Sequence, residues 1–242
     1  MTKAEIQFIR SLSDKRTRDA EHLFIAEGDK LVEEIRNSEF RIRRIYTTRP
    51  DINGVDVEHI DKKEMERISQ LKTATDTLAV VEQPRYRLDI EPKTLILALD
   101  GVQNPGNLGT IIRLADWFGI KDIVCSPDSA DCFNPKVVQA TMGAILRVRV
   151  HYTDLARYID TLPTATPVYG TFLEGANIYD TKLQNRGLVV MGSEGRGISD
   201  AVGAKVTHKL FIPPYPADNC NSESLNVAIA TAIICAEIRR AK

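Results

Sequence analysis

From residue 95 onward, short unbroken apolar runs alternate with stretches whose apolar positions recur at helical spacing. Residues 95–99, 123–125, 148–150, 168–171, 188–191 and 209–212 read as strands. Runs without polar alternation predict strands covered on both faces, and strands separated by helices predict a largely parallel sheet in an α/β domain. Before residue 86 the elements are shorter. Helices are predicted around residues 2–12, 29–37 and 62–70, and strands around 42–47, 57–60 and 78–81, which together make a small α/β domain. Residues 82–92 carry two prolines and five charges and interrupt both patterns. The predicted organisation is a first domain over 1–85, a linker over 86–93 and a second domain over 94–242.

Charge follows the same division. Of 32 basic and 33 acidic residues, 17 and 19 fall within the first 92. The net charge of −1 gives no bulk attraction to polyanions, so affinity for a nucleic acid must come from local clusters. Lys15, Arg16 and Arg18 form one such cluster; Arg41, Arg43, Arg44 and Arg49 form another. The four cysteines (Cys125, Cys132, Cys220 and Cys235) lie far from any C-x-x-C spacing and from the histidines, which predicts no metal and a reducing compartment. The N-terminal 18 residues are polar, and no apolar run reaches the ~20 residues that span a bilayer. The expectation is a cytoplasmic protein without a membrane segment.

In parallel sheets, ligands bind beyond the carboxyl ends of strands, so the loops that follow strands are the places to look for chemistry. Residues 100–113 leave a strand and enter a helix. Leu108, Ile111, Ile112, Ala115 and Phe118 make its apolar stripe, while Thr110, Arg113 and Trp117 occupy another face. Arg113 offers a planar fork for a phosphate or carboxylate; a solvated surface charge is the plainer reading. Asn104 and Asn107 suit a turn and a helix cap. No glycine-rich phosphate loop is present. Residues 192–199 place Gly192, Gly195 and Gly197 within six positions and set Glu194 at a strand end, where it serves a site or merely a turn. Residues 212–226 form a proline-stiffened loop in which Ser222 or Ser224 suits a helix cap, and capping alone is the plainer reading of Ser224 and Asn226. The helix after it, 225–240, is apolar nearly all round and predicts burial in a core or a subunit interface. Asn134 and Pro135 open a further helix, predicted to run to residue 146.

Taken together, the three loops resemble the three motifs of the SpoU (TrmH-like) RNA ribose 2′-O-methyltransferases of the SPOUT superfamily. The first reads Asn104-Pro105-x-Asn107-x-Gly109-x-x-x-Arg113, followed by Ala115-Asp116-x-Phe118-Gly119. The second reads Met191-Gly192-Ser193-Glu194-Gly195-x-Gly197-Ile198. The third reads Ile212-Pro213, then Ser224-Leu225-Asn226-Val227. The front of the chain resembles the family's L30e-like substrate-binding domain through Ile9-x-x-Leu12, Lys15-Arg16-x-Arg18 and Phe24-Ile25-x-Glu27-Gly28.

The resemblance implies a parallel sheet whose C-terminal chain forms a trefoil knot, a homodimer, S-adenosylmethionine as cofactor, and ribosomal or transfer RNA as substrate. Asn107, Arg113, Glu194, Ser224 and Asn226 match the family's catalytic and substrate-positioning residues. Gly192, Ile212 and Leu225, with Thr171, match its cofactor contacts. Lys15, Arg16 and Arg18 become the expected RNA contacts. The segment 214–223 departs from the family: it is longer, richer in proline and free of glycine. That departure keeps a second expectation open, an RNA-binding relative without catalysis. An unrelated α/β enzyme of small molecules is a third, which the basic clusters disfavour.

Overall fold

A computed structural model describes residues 1–88, 93–216 and 224–240. The predicted linker residues 89–92, and residues 217–223 of the third loop with Cys220 and Ser222, lie outside the described residues. Two compact units are formed, residues 1–85 with 131–146, and residues 86–130 with 147–242.

The first unit runs α1 (Lys3–Ser11), α2 (Lys15–Glu21), β1 (Leu23–Glu27), α3 (Asp29–Arg36), β2 (Ile42–Thr47), β3 (Val57–His59), α4 (Lys62–Ile68) and β4 (Thr77–Glu82). Its sheet has the order β1-β4-β2-β3, antiparallel except for the β2–β3 pair. Successive strand residues point to opposite faces, and here both faces are covered. Leu23, Ile25, Leu78 and Val80 pack with α1 and α4 through Ile6, Ile9, Met65 and Ile68. Phe24, Ala26, Ala79 and Val81 pack on the other side with Val32 and Ile35 of α3 and with Val138. Capping boxes start α1 (Thr2 with Glu5) and α4 (Asp61 with Glu64).

Val138 marks a departure from the predicted organisation. The segment 131–146 belongs in sequence to the second domain but packs in the first unit. It carries α6 (Pro135–Thr141), with Phe133 against Phe24 at a centroid distance of 4.8 Å. Asn134 caps α6 as its position predicts, its side chain accepting from Lys136 N at 2.9 Å. The helix is shorter than predicted because Met142 turns left-handed at φ 51°, and a separate 3₁₀ turn, Ala144–Leu146, follows.

Glu27, at the end of β1, is buried without a counter-charge among the described residues; it accepts from Ser69 Oγ at 2.6 Å and Gln70 N at 2.7 Å. Burial pushes its carboxyl above the ordinary value against these two hydrogen bonds. A raised folded-state value means that its stabilising contribution is full below the unfolded value, ~4.3, and is lost as pH rises through the folded one. Glu27→Gln should therefore equal or exceed the wild type in urea unfolding at pH 7, with the gain disappearing toward pH 4. A variant that is less stable at pH 7 than at pH 4, relative to wild type, would contradict this.

The second unit holds β5 (Leu95–Asp100), α5 (Pro105–Trp117), β6 (Asp122–Cys125), β7 (Arg149–Tyr152), α7 (Leu155–Asp160), β8 (Val168–Asn177), β9 (Gly187–Gly192), α8 (Asp200–Gly203), β10 (His208–Phe211) and α9 (Val227–Arg240). All six strands are parallel, in the order β10-β8-β9-β5-β6-β7. This is the α/β class predicted from the apolar runs. Ile96, Ala98, Val124, Leu188 and Val190 face α7 and α8. The alternate residues Leu95, Leu97, Leu99, Val189 and Met191 are equally buried, on the face that α5 and α9 cover. β8 and β10 pair in two stretches, Lys209 opposite Gly170 and Leu210 opposite Ala176, so residues 171–175 bulge out of the ladder.

Candidate active site

Three segments distant in sequence meet at the carboxyl end of this sheet. β5 ends at Asp100, and four residues later Asn104 caps α5, its Oδ1 accepting from Asn107 N at 3.1 Å, with Pro105 at the first helical position. Asn107 thus sits in the first turn of α5. β9, beside β5, ends at Gly192. Beyond it Ser193 and Gly197 pair with each other across a tight reversal that presents Glu194. Only glycine fits at 192, since a Cβ there would lie 2.2 Å from the Gly197 carbonyl carbon. α9 starts immediately after Asn226.

The three side chains are joined by hydrogen bonds. Asn107 Nδ2 donates to Glu194 Oε1 at 2.7 Å, and Asn226 Nδ2 donates to the same oxygen at 2.6 Å and to Asn107 Oδ1 at 3.1 Å. The direction of each bond is dictated by the helix. Asn226 Oδ1 caps α9, accepting from Ala228 N at 3.0 Å and Ile229 N at 3.3 Å. Its Nδ2 must then face outward. Asn107 Oδ1 accepts one of those protons, which turns its own Nδ2 to Glu194. A cap, two amides and a carboxylate form one chain of donors and acceptors. Glu194 Oε2 has no partner among the described residues and is exposed. The cap of α9 is therefore Asn226 and not Ser224; Ser222 lies outside the described residues.

The remaining predicted residues fall into separate groups. Arg113 is exposed on α5, with no partner among the described residues, on the same face as Thr110 and Trp117. It lies six residues from Asn107, ~9 Å along the axis and about 120° round the helix. Ser224 and Leu225 are exposed, directly before Asn226. Thr171, where β8 leaves its first paired stretch, Gly192, the last residue of β9, and Ile212, just after β10, are each half-buried, and these three strands are neighbours. Thr171 Oγ1 points to Val190 O at 3.4 Å. The structure thus brings together Asn107, Glu194 and Asn226 by direct contact, and it sets Thr171, Gly192 and Ile212 on or beside three neighbouring strands.

Arg18 requires correction. It is 1% exposed, paired with Asp131 at 2.6 Å and bonded to the carbonyls of Leu12 and Ser13, so it is an interior structural residue and is withdrawn as an RNA contact. Lys15 and Arg16 are exposed on α2; Lys15 pairs with Asp19 at 2.7 Å, and Arg16 has no side-chain partner among the described residues.

Other residues of the site were not singled out from the sequence. Asp100, nearly buried, accepts from Ser199 N at 2.7 Å and so ties the end of β5 to the chain beyond the Glu194 turn. Asp128 pairs with Arg196 at 3.2 Å, and its other oxygen accepts from Ser126 Oγ, which itself accepts from Gly101 N. The hydrogen bond from Ser126, aided by Arg196, holds the Asp128 carboxyl below the ordinary carboxylate range. These ties cross 68 and 99 positions, and no local pattern announces them.

The same chain is similar throughout its length to known proteins. The SpoU rRNA Methylase family model matches residues 94–236, and the MRM3-like substrate binding domain matches residues 3–79. The 23S rRNA (guanosine(2553)-2′-O)-methyltransferase RlmP of Bacillus subtilis is 32% identical over 238 residues, covering 95% of this chain and 94% of that one. A TrmH-family structure from Porphyromonas gingivalis superposes with a TM-score of 0.87 at 39% identity, over 100% of this chain and 99% of that one. The AdoMet-bound rRNA methyltransferase from Sinorhizobium meliloti gives 0.89 at 29% identity, over 99% and 95%. With its three motif segments converging at the end of a parallel sheet and its sequence matched from front to back, the chain belongs to the SpoU rRNA methylase family.

Proposed function

We propose that the protein transfers a methyl group from S-adenosylmethionine to a ribose 2′-hydroxyl of RNA. The observation that carries this reading is the hydrogen-bonded meeting of Asn107, Glu194 and Asn226, one residue from each motif, at the strand ends where parallel sheets bind ligands. The full-length relative from Bacillus subtilis is named for guanosine 2′-O-methylation of 23S rRNA, which makes ribosomal RNA the first substrate to test.

The donor set fits the cofactor. Thr171, Gly192 and Ile212, half-buried on or beside neighbouring strands and without ionised side chains, suit holding an adenosine by main-chain groups, and Leu225 is assigned to the same task. When bound, the cofactor supplies a methyl group on a sulfonium. The protein's own task is alignment, because in-line displacement is accelerated chiefly by holding nucleophile and methyl in register. Asn107, Glu194 and Asn226 form a platform whose free carboxylate oxygen orients the ribose, and Ser224 stands beside it. Arg113 grips the neighbouring phosphate through its fork and stabilises charge developing on the 2′-oxygen; as a permanently protonated group it serves as an electrostatic partner, not a base. Lys15 and Arg16 add phosphate contacts from the first unit. The knot that the family resemblance implies belongs to this reading too.

The decisive experiment incubates the protein with methyl-tritiated cofactor and unmodified ribosomal or transfer RNA. Label should appear in an alkali-resistant dinucleotide, the mark of a methylated 2′-oxygen. RNA binding with neither cofactor binding nor label would instead establish the non-catalytic relative, and label confined to a base would overturn the ribose assignment.

The homodimer is part of the proposal. On the surface of α5 and α9, which pack together, Trp117 is 84% exposed and Ile229 53% exposed, with Ile233 half-buried along the same side of α9. Large exposed apolar side chains on two packed helices suit an interaction surface. Trp117→Glu should convert a dimer into a monomer in light scattering, with thermal stability lowered at micromolar concentration. A wild type that is monomeric at 100 μM would refute the assignment.

A further inference from the structure

A groove of about 250 Å³ opens in the first unit between α1 and β2. Its floor is Ile9, one wall is the Phe8 ring, and Arg43 stands over that ring with its guanidinium carbon 6.0 Å from the centroid. Arg44 lines the rim, held by Glu58 only at 3.9 Å. Tyr46 is buried apart from its end, and its hydroxyl makes no hydrogen bond among the described residues. Glu5 adds a carboxylate. One of its oxygens is occupied by Thr2 N and Thr2 Oγ1, both at 2.7 Å, and the other has no partner among the described residues.

This combination has a specific chemical meaning. An aromatic face and an arginine plane stack the flat faces of a nucleobase, whichever base it is. A free carboxylate oxygen and a free hydroxyl read its edge, the carboxylate accepting from amino or imino hydrogens. Arg44 at the rim matches the neighbouring phosphate. The hydrogen bonds from Thr2 keep the Glu5 carboxyl below the ordinary range, so it remains an acceptor at neutral pH.

Resting on the RNA reading above, we propose that the groove formed by Glu5, Phe8, Arg43, Arg44 and Tyr46 binds one unstacked nucleotide of single-stranded RNA, stacked against the Phe8–Arg43 pair. It favours a base with an exocyclic amino donor, such as guanine or cytosine, over uracil, which has none. The groove shares no residue with the methyl-transfer site and none with the Lys15–Arg16 cluster. It anchors the substrate by an extruded base, a mode that suits RNA loops and bulges and that paired RNA cannot use.

The test uses the full-length protein and fluorescein-labelled uridine decamers carrying one central G, C, A or U, with a blunt RNA duplex beside them. Phe8→Leu keeps apolar packing but removes the ring, and Arg43→Ala removes the second plane. Each should weaken decamer binding by about tenfold or more in anisotropy titrations. Arg157→Ala, at an exposed arginine of the second unit, measures the generic loss from one charge and should stay within threefold. Tyr46→Phe and Glu5→Gln should shrink the preference for G or C over U while leaving uridine affinity in place. Folded Phe8→Leu and Arg43→Ala proteins within twofold of wild type would overturn the proposal, as would a wild type that prefers the duplex. Cofactor titration separates the two failures. A protein that binds S-adenosylmethionine and RNA but ignores the groove variants refutes the groove alone, and one that binds neither refutes the methyltransferase reading as well.

Discussion

Glu194→Ala should lower kcat for RNA methylation by about 10²–10³-fold, the range seen when one preorganised polar group is removed from a reaction centre. The carboxylate is the common acceptor for Asn107 and Asn226, whose amides approach Oε1 at 2.7 and 2.6 Å. Without it, both Nδ2 groups turn to water, and the fixed relation between α5, the turn after β9 and α9 is lost. The same change should hardly affect folding. Glu194 is exposed, and hydrogen bonds in water are readily replaced, so the expected stability loss is within ~1 kcal/mol. Glu194→Gln separates the two contributions of the side chain. Its amide oxygen can still accept both bonds, so a variant with intact geometry but low kcat would assign the effect to charge, and a fully active one would assign it to position. Stopped-flow or single-turnover methylation with matched unfolding curves makes the comparison. A Glu194→Ala enzyme with wild-type kcat would remove this residue from the mechanism.

Much of this site could be read in advance because each motif announces itself locally. Asn104-Pro105 is a helix start, the dense glycines after 191 form a tight turn, and the apolar run from 227 is a helix. What sequence spacing could not show is that the three meet, since Asn107 and Asn226 are 119 positions apart. Their conjunction came from the family resemblance, and the geometry then supplied the reason for it. The cap of α9 illustrates the limit. Serine and asparagine are comparable caps, and choosing among Ser222, Ser224 and Asn226 required knowing where the helix begins.

The first unit was harder to read. β1, the segment Leu23–Glu27, is buried along its whole length, on both faces, so it lacks the alternation that marks a half-exposed strand. Its neighbour α2 shows no apolar stripe at all; only Arg18 among its residues is buried. A helix that buries a charge looks, in sequence, like a solvated basic loop. The same blindness hid the segment 131–146, whose packing in the first unit depends on a partner 113 positions away.

That partnership is the basis of the second large prediction. Arg18→Met should destabilise the first unit by about 3–5 kcal/mol, the cost of leaving one half of an interior ion pair unmatched. The guanidinium makes four hydrogen bonds. Nε and Nη2 donate to Asp131 Oδ2 at 3.0 and 2.6 Å, while Nη1 donates to the Leu12 carbonyl at 2.8 Å and the Ser13 carbonyl at 2.7 Å. It therefore satisfies the chain leaving α1, fixes α2 and holds the segment that carries α6. Methionine retains most of the volume but donates nothing, and Asp131 and two carbonyls are left facing it. At roughly 2–4 °C per kcal/mol for a chain of this size, the transition should fall by about 10 °C. Adding Asp131→Leu should recover part of the loss, because removing both charges of a buried pair costs far less than removing one. The two carbonyls remain unpaired, so recovery should stop short of the wild type. An unchanged transition in Arg18→Met would contradict the structural role. RNA binding measured well below the transition is the complementary test. Lys15→Gln with Arg16→Gln should weaken it and flatten its salt dependence, as expected when phosphate contacts are lost. Arg18→Met should leave the salt slope as it was, because a guanidinium already committed to a carboxylate and two carbonyls releases no counterions from RNA.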